Sequence, residues 1–212
     1  PDSTLEDTPL DIEGWVPENY HGQHLGSVTL QQAFAQSLNV PMVRLAKTVG
    51  MGKVTAQAYA MGIKSPIRLD LSSALGSSEL SLLELTSAYA AVAAEGYQVR
   101  PYGVVRITTR KGRELYAAPN RLTRRVLSPV ALAGVQQLLS SVLYSPGGTG
   151  TAARLDAIAG GKTGTSQDFR DAWFIGSAED LTTGVWMGND DNTPMDKVTG
   201  GSLPARVWAA YM

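Results

Sequence analysis

At the glycine-rich stretch Gly147 to Gly150 the pattern of the chain changes. Before it, apolar residues recur at helical spacing. After it they fall in three short runs, Ala157 to Thr165, Ala172 to Ser177 and Thr183 to Gly188, each bounded by turn residues. Runs of this length suit neighbouring antiparallel strands. A helical part followed by adjoining strands predicts a mixed α/β fold with an antiparallel sheet. With 212 residues, 43% of them apolar and 17% charged, the chain has material for one sizeable core and reads as one domain or most of one.

Turn and cap signals divide the part before residue 147. Residues 1–28 hold Trp15, Tyr20, His21 and His24 among Pro, Gly, Asp and Glu without a sustained period, which reads as an ordered lead-in loop. Thr29 with Gln32 forms a capping box before a stripe of Leu30, Ala33 and Phe34. Pro41 fits the first turn of a second helix that stops at Gly50, so Ser37-Leu38-Asn39 falls at a helix-to-helix turn. A third helix is expected from Lys53 to Met61, with Gly62 as its left-handed end. A fourth opens at Ser81, where Glu84 completes another capping box, and closes at Gly96. Alternation around Lys111-Gly112 predicts a β-hairpin over 103–117. Ser128-Pro129 starts a long amphipathic helix with Leu132, Val135, Leu138, Leu139 and Val142 on one side, ending before Pro146. The mainly helical part thus covers 29–145, the strands 157–190, and Pro204 opens a last helix over 204–212.

The net charge of -1 and the short basic runs Arg110 to Arg113 and Arg121 to Arg125 argue against nucleic acid as a partner, which needs a concentrated basic face. The absence of cysteine excludes a disulfide framework, a thiol nucleophile and a thiolate metal site. No stretch approaches the roughly 18 apolar residues of a membrane span. The first residues lack the basic and apolar regions of a signal peptide.

Gly160-Gly161-Lys162-Thr163-Gly164-Thr165 is the most informative segment. On a strand, Lys162 supplies charge for a substrate carboxylate, Thr163 and Thr165 supply donors, and Gly164 permits close approach. The Thr165 N–H is a candidate donor to a developing oxyanion. The plain reading is an edge strand with a solvated lysine. A P-loop requires glycine where Asp156 stands, so that match fails. Gly148 to Ala153 fits a dinucleotide pattern but follows a helix where a strand is required, and reads better as a loop. Ser37 and Asn39 offer a hydroxyl for proton relay and an amide for a peptide carbonyl, although such residues favour helix ends in any case. His21 and His24 lack supporting carboxylates, and Asp190, Asp191, Asn192 and Asp196 lack the glycine and closing glutamate of a calcium loop. No metal or cofactor is implied.

Three stretches in this order resemble the transpeptidase domain of class A, bifunctional penicillin-binding proteins. The first is Pro17-Glu18-Asn19-Tyr20, then Gly26 to Leu30, then Ala35-Gln36-Ser37-Leu38-Asn39-Val40-Pro41. The second is Ala74-Leu75-Gly76 with Glu79 and Leu80. The third is Gly161 to Thr165 leading into Arg170-Asp171-Ala172-Trp173-Phe174-Ile175-Gly176 and Val185-Trp186-Met187-Gly188. The family uses Ser-x-x-Lys, Ser-x-Asn and Lys-Thr-Gly motifs. Ser37 and Asn39 match the second, and Lys162, Thr163 and Gly164 the third. The residues three before the lysines are Arg44, Gly50, Met61, Thr108, Ala159 and Pro194, so Ser-x-x-Lys is not in the chain.

The resemblance implies an incomplete penicillin-binding fold with helices on both faces of the sheet. It implies attack on peptidoglycan stem peptides ending in D-Ala-D-Ala, transfer of the acyl group to an amine, and trapping by β-lactams. Ser37 would relay a proton and Asn39 hold the substrate amide. Lys162 would set the positive potential, Thr163 and Thr165 bind the carboxylate, and Thr165 N–H serve the oxyanion hole. The nucleophilic serine and its lysine would come from an upstream segment of the same protein, in line or as a separate chain, so this chain alone is expected to be inactive. The implied location is the extracytoplasmic face of the bacterial cytoplasmic membrane, in the periplasm, with any anchor outside this chain. The alternatives are a nucleophile-free peptidoglycan- or partner-binding module and a DD-carboxypeptidase of the same superfamily.

Overall fold

The computed structural model describes residues 1–120 and 122–212; Arg121, the first residue of the second basic run, lies outside the described residues. The N-terminal segment differs from the expected loop. Strand β1 (Thr4–Asp7) pairs antiparallel with β2 (Gly26–Thr29), with Leu5 opposite Val28 and Asp7 opposite Gly26. Strands of four residues with one apolar cross-strand pair are too short to show a period.

Helix α1 (Leu30–Ala35) starts at Thr29, whose Oγ1 accepts from the Gln32 N–H at 3.1 Å; only this half of the anticipated box forms. Helix α2 (Asn39–Val49) begins two residues ahead of Pro41, because the side chain of Asn19 accepts from the Asn39 and Val40 N–H groups and proline has none to satisfy. Gly50, at φ 88°, ends α2 and opens α3 (Met51–Ala60) directly. Helix α4 (Leu82–Ala93) carries the full box of Ser81 and Glu84. Beyond it, β3 (Tyr97–Val99) leads to the predicted hairpin, β4 (Arg106–Thr108) with β5 (Glu114–Ala117), and β6 (Leu122–Arg125) returns to pair with β3. Helix α5 (Pro129–Tyr144) follows, capped by Ser128.

The three late runs form one antiparallel sheet in the order β7 (Ala159–Thr165), β8 (Asp171–Ala178), β9 (Leu181–Gly188). Lys162 lies opposite Ile175, and Ile175 opposite Gly184. Side chains opposite each other share a face. On the face of Gly160, Lys162 and Gly184, added Cβ atoms would meet Leu139 of α5 at Gly160, and Leu82 and Thr86 of α4 at Gly184. On the other face a Cβ at Gly176 would lie 3.0 Å from Trp208 of α6 (Leu203–Tyr211). Helices therefore cover both faces. Phe174 and Trp208, both fully buried with ring centroids 5.1 Å apart, anchor one core with Ala159, Ala178, Ala205, Val142 and Leu143. Val92, Leu127 and Leu139 form a second, against which Phe34 and Tyr89 pack.

Candidate active site

Two distant parts of the chain meet at the free edge of the sheet. Helix α1 ends in a left-handed turn: Leu38 N–H donates to Ala33 C=O at 2.9 Å and Ser37 N–H to Phe34 C=O at 3.2 Å, with Ser37 at φ 54°. Glycine is the usual residue at this position of such a cap, because a Cβ there costs about 1–2 kcal/mol. The cost is accepted at a hydroxyl that points at β7. Lys162 Nζ donates to Ser37 Oγ at 2.8 Å and to Thr163 C=O at 3.0 Å, and lies 5.8 Å from the centre of the Phe34 ring. Burial pushes the Lys162 ammonium down from 10.5 to about 8.

Ser166 N–H donates to Asp171 C=O, so the even-numbered residues of β7 carry the ladder bonds to β8. Thr163 and Thr165 therefore turn their backbone N–H and C=O groups to the unpaired edge. The bond from Lys162 Nζ to Thr163 C=O agrees with that parity. Among the described residues no strand pairs with this edge, which presents backbone donors and acceptors beside a cation and a hydroxyl.

The remaining candidates are near but engaged. Asn39 opens α2, and its Nδ2 donates to Glu18 C=O at 2.7 Å, which leaves Oδ1 to accept. Thr163 Oγ1 lies 2.7 Å from Thr149 Oγ1. Thr165 Oγ1 accepts from Gly200 N–H at 3.1 Å, so its own proton is available to an anion. A Cβ at Gly164 would lie 3.3 Å from the Trp173 side chain. Of the weaker candidates, His24 Nδ1 is 3.4 Å from Asp7 Oδ1, and Asp191 Oδ1 accepts from the N–H and Oγ1 of Thr193.

Thr149 and Asn19 escaped the reading of the sequence as site residues. Thr149 N–H donates to Ala35 C=O at 3.0 Å, so this residue links the end of α1 to Thr163. Its signal was the pair of flanking glycines: a Cβ at Gly148 would lie 2.4 Å from Val142 C=O, and one at Gly150 would lie 3.0 Å from Val142 Cγ1. Gly200 and Gly201 similarly lay backbone against Gly164 and Thr149, with added Cβ atoms 2.5 Å from Gly164 C=O and 2.2 Å from Thr149 C=O. Asp171, at the start of β8, exchanges bonds with Ser166 and accepts from Trp186 Nε1 at 2.9 Å, which closes the turn between β7 and β8.

The model of the penicillin-binding protein transpeptidase domain matches residues 1–212. The chain belongs to that family. Penicillin-binding protein 1B of Vibrio cholerae is 34% identical over 99% of this chain, which spans 28% of that protein. Penicillin-binding protein 1A of Aquifex aeolicus is 35% identical over 96% of the chain, again 28% of the relative. The fold matches that of penicillin-binding protein 1A from Haemophilus influenzae with a TM-score of 0.88 at 23% identity, covering 99% of this chain and 38% of that one. It also matches PonA1 from Mycobacterium tuberculosis in complex with penicillin V, with a TM-score of 0.82 at 22% identity, covering 99% and 62%. The mixed α/β fold is thus that of the penicillin-binding transpeptidases of class A, and this chain spans 28% of the length of each of the two curated relatives named.

Proposed function

We propose that the chain supplies the substrate edge and proton relay of a peptidoglycan DD-transpeptidase whose nucleophilic serine lies in a segment outside these 212 residues. The observation that carries this reading is the Lys162–Ser37 hydrogen bond beside the unpaired edge of β7. A stem peptide ending in D-Ala-D-Ala pairs along that edge, with its carboxylate at the Thr165 hydroxyl, the Thr163 hydroxyl and Lys162. The serine oxygen attacks the carbonyl carbon of the penultimate D-alanine while Thr165 N–H donates to the forming oxyanion. The C–N bond then breaks, and the proton lost by the serine reaches the departing amine through Ser37. An amine of a second strand takes the acyl group and releases the serine. A β-lactam opens by the same attack but keeps its leaving amine tethered. The reaction belongs at the extracytoplasmic face of the membrane, where its substrate lies; among the described residues no helix is long and apolar enough to cross a membrane.

The test is intact mass after exposure to a labelled penicillin. The 212-residue chain stays unlabelled, whereas the longer product of the same coding region gains one label, and Ser37→Ala or Lys162→Ala slows labelling by about 10²- to 10⁴-fold, the range for loss of general acid–base catalysis. An unlabelled longer product overturns the enzyme and leaves a binding module. Product analysis with and without an acceptor amine separates transfer from carboxypeptidase hydrolysis.

A further inference from the structure

We propose that Asp7 and Asn19 are positioning residues for the Ser37–Asn39 turn: the Asp7 carboxylate fixes the Asn19 amide, and Asn19 fixes the first turn of α2. Asp7 is fully buried and Asn19 is 6% exposed. Asn19 Nδ2 donates to Asp7 Oδ1 at 2.8 Å and Oδ2 at 3.0 Å, and to Gln23 C=O at 2.9 Å. Leu25 N–H donates to Asp7 Oδ2 at 2.9 Å, and His24 Nδ1 is 3.4 Å from Oδ1. The Asn19 amide is held by its nitrogen in this way, and its Oδ1 faces α2. There it accepts from Asn39 N–H at 2.9 Å and Val40 N–H at 3.2 Å.

Those two N–H groups are orphans of the helix start, which a side chain at the preceding position ordinarily satisfies. That position is Leu38, which has no polar atom. Helix α2 is therefore capped from outside, by a residue 20 positions upstream. Among the described residues no Lys or Arg pairs with the buried Asp7 carboxylate, which makes its burial costly, and a two-stranded sheet does not need one. Here its charge sits behind the positive end of α2 and orders the amide between them. Glu18, the neighbour of Asn19, takes the side chain of Asn39 through its carbonyl. Residues 18 and 19 thus grip Asn39 by backbone and side chain. With one residue between them, the place of Asn39 sets the place of the strained Ser37 against Lys162.

The functional meaning rests on reading Ser37 and Asn39 as site residues, but the experiment reads their placement in the 212-residue chain and needs no turnover. Failure of one therefore leaves the other standing. Wild type, Asn19→Ala, Asp7→Asn and Ser81→Ala are compared by lysine side-chain NMR titration and amide exchange. Ser81→Ala is the control that removes a cap elsewhere. In Asn19→Ala, exchange at Asn39 and Val40 rises by about tenfold more than at Leu139 in the core, as loss of a cap requires. The Lys162 midpoint moves towards the ordinary lysine range. Asp7→Asn acts in the same direction, and Ser81→Ala moves neither readout. A uniform rise in exchange, or an unmoved Lys162 midpoint in folded Asn19→Ala, overturns the proposal. If neither variant folds, the wild type decides: Asn39 and Val40 protected to the level of Leu25 support it, and rapid exchange at Asn39 beside a protected Leu25 overturns it.

Discussion

Ser37 holds a left-handed backbone that glycine adopts freely and alanine does not. Replacing it therefore separates strain from chemistry. Ser37→Gly is expected to be more stable than Ser37→Ala by about 1 kcal/mol in denaturant unfolding, although both lack the hydroxyl. Lys162 gives a second reading at this scale. With its folded value near 8 against an ordinary 10.5, the unfolded chain binds more protons between those limits, so stability rises with pH from about 8 to 10.5. The unfolding midpoint of wild type, minus that of Lys162→Met, should rise across that window; a flat difference contradicts it. That Ser37 and Lys162 would meet could be expected from the order of their motifs, since each triplet alone is commonplace. Asp7 was not visible. An aspartate in a four-residue strand gives no sign of full burial, which depends on Asn19, His24 and the Leu25 N–H closing over it.

Glu84 shows how a helix cap takes on a wider role. Its carboxylate accepts from Ser65 Oγ, from Lys64 and Ser65 N–H and from Ser81 Oγ, and these bonds hold it down to about 2. The stabilisation is present above 4.5 and is lost as pH falls from there through about 2. Glu84→Gln should lack this acid-dependent component, measured as the slope of stability against pH in that window. At β9, a Cβ on Gly184 would lie 2.1 Å from Thr86 Oγ1 and 2.9 Å from Leu82, so Gly184→Ala should destabilise by about 1–3 kcal/mol as α4 is pushed off the sheet. The helices and the late strands were legible because caps, prolines and apolar spacing are local signals. The pairs β1–β2 and β3–β6 were not, since their partners lie far apart in sequence and the strands have three or four residues. The start of α2 was misplaced for a related reason: its cap comes from Asn19 rather than from the neighbouring sequence.

Across the whole molecule, apolar surface is distributed unevenly. The strands β4 and β5 are exposed throughout, with Ile107 at 48% and Leu115 at 57% exposure, whereas Trp208 and Phe174 have none. Ile107→Ser and Leu115→Ser should each alter stability by no more than about 0.5 kcal/mol, while Trp208→Ala should cost about 3–5 kcal/mol in the same assay. The Lys162–Ser37 bond spans 125 positions of the chain. A contact between such distant residues closes a long loop and forms only after both flanking regions have found their places. A fluorophore placed beside that pair should therefore report refolding more slowly than the far-ultraviolet helical signal. The edge of β7 beside Lys162 would then be the last part of the molecule to mature.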